Sequence, residues 1–161
     1  MVRGDSAEFV VAAATLGVPH PSGYPLHVLL GYLFSGLPFG PFGPVGSVAW
    51  RVNLLSAVAD AAAVGVLCLA VSRWAGSVWA GVAAAGLFGF SANVWHYATN
   101  AEVFALHNLA VAALLLVSLL YAARPTATNA TWIALVLGLG LSNHHTLVFY
   151  GAGVAPTPGL D

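Results

Sequence analysis

The sequence predicts an all-α, polytopic membrane bundle with a re-entrant or interfacial loop ahead of its spans. Three observations predict it. Only four basic and five acidic residues occur in 161, with no lysine, whereas a soluble domain carries about 25% charged residues. The chain is 60% hydrophobic with a mean hydropathy of +0.89, a surface that water would meet as large apolar patches. Finally, four apolar stretches approach the roughly 20 residues that carry a helix across a hydrocarbon core of about 30 Å. The same figures exclude disorder, which needs low hydrophobicity and high charge, and nucleic-acid binding through a basic surface. Cys68 is the single cysteine, so there is no disulfide framework and no cysteine-based zinc site.

Residues 1–50 read as an outer loop with interfacial helices. Phe9–Val18 is apolar but too short to span, and Tyr24–Leu37 is amphipathic. Gly36–Gly46 (GLPFGPFGPVG) cannot be regular helix. That composition also argues against a fifth span over Val28–Val48. Residues 51–150 hold four predicted spans: Val52–Val71, Val78–Trp95, Val103–Ala123 and Thr131–Tyr150. The links Ser72–Ser77, His96–Glu102 and Arg124–Ala130 are short, which makes neighbours antiparallel. Gly81/Gly86 and Gly138/Gly140 read as close-packing faces, and residues 151–161 as a polar tail. The start MVRGDSAEF has no apolar signal-peptide core and points to a further helix upstream. Arg73 and Arg124 flank the two hairpin turns on one side, cytoplasmic by the positive-inside tendency, although Arg3 and Arg51 balance them opposite. The sequon Asn129–Thr131 falls on that cytoplasmic side.

Threading the spans collects the unusual polar residues on the other face. Asp5 and Glu8, three apart, share one side of a helical turn; equally, Asp5 or Ser6 can cap a helix whose first turn holds Glu8. Pro19–Pro25 (PHPSGYP) is a rigid turn that holds His20 for an anionic or sugar ligand, or simply reverses the chain. Glu102 stands at the mouth of a span, where a carboxylate also suits the helix dipole. Asn143, His144 and His145 close the last span as hydrogen-bonding groups or interfacial packing. Adjacent histidines on a helix diverge by about 100° and do not readily share a metal, so no metal is expected. Asp60 lies mid-span, at the wrong level to join this cluster; an intramembrane carboxylate is a functional candidate by default, facing the bundle interior either protonated or hydrogen-bonded.

The motifs DSAEFVVAAATLGVPHPSGYPLHVLLGYLF, AWRVNLLSA, AEVFALHN and LGLGLSNHHT resemble, in order, the N-terminal part of the transmembrane protein 260-like family. These are multi-pass protein O-mannosyltransferases, similar to the GT-C class of glycosyltransferases. The resemblance implies transfer of a sugar, mannose by expectation, from a polyprenyl-phosphate donor to Ser or Thr of a protein acceptor. It implies Asp5 as the loop base with Glu8 as its companion. It adds His20, Tyr24, Glu102, Asn143, His144 and His145 as substrate-binding positions. Arg51, or one of the histidines, is expected to bind the leaving phosphate, with no cofactor required. Ser22 stands where a second proline is usual, and Phe104 where tyrosine is common. The implied setting is an extracytoplasmic face, in a bacterial inner membrane or endoplasmic reticulum. The competing readings are a piece of a multi-pass transporter, favoured by polar residues spread over the midplane such as Asp60, and a membrane segment without chemistry.

Overall fold

A computed structural model describes residues 5–38 and 46–151. Helices α1 (Ser6–Thr15) and α2 (Pro25–Ser35) form a short corner ahead of the long α3 (Val48–Ala75). There follow α4 (Val78–Gly89), α5 (Ala92–Ala98), α6 (Val103–Ala123), α7 (Ala127–Asn143), a 3-10 turn at His145–Leu147 and α8 (Val148–Gly151). No strand occurs among the described residues. The fold is therefore the all-α membrane bundle that composition implied.

Local chemistry sets the helix ends. Ser47, Ser77, Ser91 and Thr126 each accept a hydrogen bond from the backbone N–H three residues on, satisfying one orphan donor per helix start. Pro25 occupies the first turn of α2, where its missing N–H costs nothing. Gly76 ends α3 at φ +64°, a left-handed conformation that glycine adopts without a Cβ penalty. The Asn129 amide donates to Leu120 O at 3.2 Å and Arg124 O at 2.8 Å, a second bond for two carbonyls that already accept from the Arg124 and Thr126 N–H groups.

The spans differ from expectation in three ways. Two helices, α3 and α6, are long and apolar enough to cross a membrane, and a third span exists if α4 and α5 count as one. The predicted span Val78–Trp95 is bent by 67° where Ser91 starts a new helix. The predicted span Thr131–Tyr150 is not one helix: α7 has 17 residues and stops at His144, whose backbone is extended at φ −153°. The alternative fifth span fails because α2 ends at Ser35. Arg3, the polar tail from residue 152 and most of the Gly/Pro-rich stretch (residues 39–45) lie outside the described residues.

Packing fixes the directions. α3 and α4 are antiparallel: a Cβ on Gly81 would run into the Cys68 carbonyl and the Ser72 hydroxyl, and one on Gly89 would come 2.9 Å from Val64. α6 and α7 are antiparallel as well, with Gly140 held against Ala110 and Leu147. Gly86 and Gly138, their expected partners in close packing, face open space instead. α3 and α6 run parallel, since Leu55 and Ala59 share a core with Ala105 and Leu106. The starts of α3 and α6 and the end of α7 thus meet at one end of the bundle. Exposed tryptophans mark both ends: Trp74, Trp79 and Trp132 at one, Trp50 and Trp95 at the other, the pattern of an interfacial aromatic belt. A second core of Phe9, Ala13, Tyr24, Val52, Ala101 and Val103 seats the α1–α2 corner on the starts of α3 and α6.

Candidate functional site

The corner brings four titratable side chains together, Asp5, Glu8, His20 and Tyr24. Glu8 sits in the first turn of α1, and both its oxygens are taken by His20. The His20 backbone N–H donates to Oε1 at 2.6 Å, and ring Nδ1 lies 3.0 Å from Oε2. These bonds hold the Glu8 carboxyl below the usual carboxylate range, the imidazole bond first and the backbone N–H second. On the far side of the same ring, Nε2 lies 3.3 Å from the Tyr24 hydroxyl and 3.9 Å from Asp5 Oδ2. Tyr24 begins α2 at φ +45°, a left-handed conformation that costs a non-glycine residue about 1–3 kcal/mol and is held only where the surroundings fix it. Here the buried Tyr24 ring meets Phe9 edge-on at 5.3 Å.

Neither capping reading of the α1 start holds. Asp5 occupies the cap position, but its side chain makes no capping bond. Ser6 instead turns inward, where its hydroxyl accepts from the buried Ala101 N–H at 3.1 Å. That bond ties the start of α1 to the loop before α6. Glu102 lies at the cap position of α6, again without a capping bond. Burial, then the negative charge of Asp5, pushes the Glu102 carboxyl above its ordinary value. Asp5, Glu8, His20 and Glu102 therefore form one acidic cluster, the rim of the site, at this end of the bundle.

The end of α7 completes the rim. Tyr24 stacks on His144 at 6.0 Å, and Ser22 Oγ lies 3.2 Å from His145 Nδ1 across 123 residues of sequence. Because His144 has left the helix, its ring stacks on that of His145 at 5.0 Å and 12°, not splayed as helical neighbours would be. His144 Nδ1 lies 2.6 Å from the Thr146 hydroxyl and 3.4 Å from the Thr146 N–H; with Nδ1 accepting from both, the ring proton sits on Nε2. Burial and the adjacent His145 lower the His144 pKa and favour this neutral form. Among the described residues no group of His, Cys, Asp and Glu converges in a metal-holding arrangement.

With this geometry in view, the relatives become informative. The family model described as "Protein O-mannosyl-transferase TMEM260 N-terminal domain" matches residues 5–155. The chain belongs to this family. It is 41% identical over 157 residues to the mouse protein named "Protein O-mannosyl-transferase TMEM260", covering 95% of this chain and 22% of that relative. It is 35% identical over 158 residues to the Dictyostelium discoideum protein named "Protein O-mannosyl-transferase tmem260", covering 90% of this chain and 19% of the relative. The chain thus spans about a fifth of the length of these curated relatives. No solved structure matches it.

In this family member the rim gathers Asp5, Glu8, His20, Tyr24, Glu102, His144 and His145. Asn143 lies just beneath, 1% exposed, where its amide donates to Val103 O at 2.9 Å; it anchors α7 to the start of α6. Arg51 is also committed elsewhere. Buried at 9% exposure, it donates from Nε to Ser35 O at 2.7 Å and from Nη1 to Gly46 O at 3.1 Å, clamping the end of α2 to the start of α3. Sequence reasoning missed His107, whose ring lies 5.2 Å from His144, and Ser22. The signal for His107 was present, a histidine–asparagine pair one turn into an apolar span. Its neighbour Asn108 donates to Asp60 Oδ1 at 2.9 Å, so the mid-span carboxyl faces the bundle interior and is hydrogen-bonded. A separate cavity of about 460 Å³ between α3, α4 and α5 is lined by Asp60, Val64, Phe90 and Trp95 among others. It is mostly apolar, and none of its lining residues belongs to the rim.

Proposed function

We propose that this chain supplies the catalytic end of a membrane O-mannosyltransferase, in which Asp5 is the base. The mannose donor is a polyprenyl-phosphate sugar, the acceptor a Ser or Thr hydroxyl of a protein, and the site faces away from the cytoplasm. The observation that carries the reading is the contrast between two carboxylates three residues apart. Glu8 is saturated by His20, whereas the exposed Asp5 carboxylate stands 3.9 Å from His20 Nε2 and repels the Glu102 carboxyl, with no hydrogen bond to either. A hydroxyl is a weak nucleophile at neutral pH, and a positioned carboxylate can take its proton as the bond to the anomeric carbon forms. The names borne by the two relatives support the transfer class.

The leaving phosphate needs donors rather than a metal. His144 offers an Nε2–H fixed by the Thr146 contact, and His145 is held through Nδ1 by Ser22. Donors set in place before the reaction stabilise developing charge without reorganising. The apolar cavity beside α3 suits a lipid tail in volume and lining. The test is Asp5→Asn in the full-length protein, assayed with polyprenyl-phosphate mannose and an acceptor protein read by mass spectrometry. Transfer is expected to fall by about 10²–10⁴-fold, the usual worth of a general base, with membrane insertion intact. Near-normal transfer would remove Asp5 from the role.

A further inference from the structure

The three groups around His20 are arranged in sequence. Glu8 Oε2 faces Nδ1 at 3.0 Å, and Glu8 Oε1 also holds the His20 backbone N–H. A carboxylate can only accept, so the neutral ring carries its proton on Nδ1 and presents a lone pair at Nε2. Two groups face that lone pair: the Tyr24 hydroxyl at 3.3 Å and Asp5 Oδ2 at 3.9 Å. The ring is neither loose nor sealed. Phe9 packs against it at 5.6 Å and Tyr24 at 5.3 Å, while its side chain stays 38% exposed. This is a fixed acceptor with a route to water, placed behind the free carboxylate.

We infer that His20 is the proton acceptor behind Asp5, and that Glu8 is its positioning residue rather than a second base. The inference rests on the reading of Asp5 as base. In the step, the acceptor O–H bond breaks and its proton goes to Asp5 as oxygen bonds to the anomeric carbon. The bond from that carbon to the phosphate oxygen breaks, and its electron pair leaves on the phosphate. The proton then passes from Asp5 to His20 Nε2, where Glu8 compensates the imidazolium charge, and leaves from the exposed ring to water. The 3.9 Å gap closes by side-chain rotation or by one bridging water, since such contacts often tighten only with substrate bound. Tyr24 holds the lone pair at rest and gives it up when the proton arrives.

The test is chemical rescue in the full-length protein. His20→Ala is expected to lower kcat by about 10²-fold, within the range of proton-transfer groups, while KM for donor and acceptor changes little. Added imidazole should restore transfer, and a series of substituted imidazoles should restore it in order of basicity. Glu8→Gln, which accepts through one oxygen where Glu8 uses two, should lower kcat by about 10-fold and shift the ring ¹⁵N signals of His20 away from the Nδ1–H form. Three results overturn the inference. If His20→Ala keeps kcat within about threefold of wild type, no proton passes through the ring and Asp5 acts alone. If its loss is not rescued, or rescue ignores basicity, His20 serves packing only. If Asp5→Asn itself keeps transfer, the base reading fails and the relay fails with it.

Discussion

Removing the Ser6 hydroxyl should undock the acidic start of α1 from the mouth of α6. Ser6 is 6% exposed and Ala101 is fully buried, and their one bond is Ala101 N–H to Ser6 Oγ at 3.1 Å. Ser6→Ala deletes the acceptor and leaves a buried backbone donor unpaired. An orphan of this kind costs about 1–3 kcal/mol, more than the bond's net worth, because the group loses water and gains nothing. The space freed is one oxygen atom, too small for a water to enter in its place. A cost of that size raises the local opening equilibrium roughly 5- to 150-fold. Hydrogen–deuterium exchange of the full-length protein in nanodiscs reads it directly: the peptide containing Ala101 should lose protection by that factor. Transfer should fall in parallel, because Asp5 is the neighbouring residue. Ser77→Ala, which removes a helix cap at the opposite end of the bundle, should leave both readings unchanged. If exchange at Ala101 in Ser6→Ala stays within about twofold of wild type, the site is docked by apolar packing of Phe9 and Val103 and the reasoning from hydrogen bonding is wrong.

Glu102 gives a pH signature. Its carboxyl is raised above 4.5 in the folded protein by burial and by Asp5, so the native state holds the proton longer than the unfolded chain does. Its favourable contribution is full below pH 4.5 and fades as pH rises through the raised value. Wild type should therefore lose Tm relative to Glu102→Gln across that window, and the opposite slope would mean that the carboxyl is not desolvated. Two glycine substitutions should have opposite signs. Gly81→Ala drives a methyl into the Cys68 carbonyl, and overpacking of about 1–3 kcal/mol outweighs the helix propensity of about 1 kcal/mol that alanine gains. Gly86→Ala meets nothing and keeps that gain, so its Tm should be level or higher. Arg51→Gln should destabilise by about 3 kcal/mol, from two charged hydrogen bonds. It should leave the KM for the donor unchanged, whereas a raised KM with an unaltered Tm would return Arg51 to phosphate binding.

The bundle was legible because bilayer length and the scarcity of charge speak directly through composition. Placing the polar residues at one end needed only the spacing of the spans, and the starts of α3 and α6 bear it out. The bend at Ser91 was half legible: Gly89 and Ser91 stand where a helix stop and a cap belong, but inside an apolar run they read as tolerated small residues. The break at His144 had no such signal. Neither glycine nor proline is there, and the chain is held by contacts made at long range: Asn143 on the Val103 carbonyl and Ser22 on His145. A lone arginine at a helix start suggests an anion, and sequence does not reveal the two backbone carbonyls that Arg51 meets. Spacing pairs Glu8 with Asp5, and geometry adds the contact with His20.

The rim brings together three carboxylates, Asp5, Glu8 and Glu102, at an end of the bundle whose one arginine among the described residues donates to two backbone carbonyls. Such a cluster tolerates little further negative charge unless its histidines divide the work. His20 is turned by a carboxylate so that its outer nitrogen accepts; His144 is turned by a backbone N–H so that its outer nitrogen donates. Tyr24 touches both rings, by hydroxyl to His20 and by stacking to His144. The two imidazoles thus present nitrogens of opposite polarity on either side of one tyrosine, one for the proton and one for the phosphate in the transfer we propose.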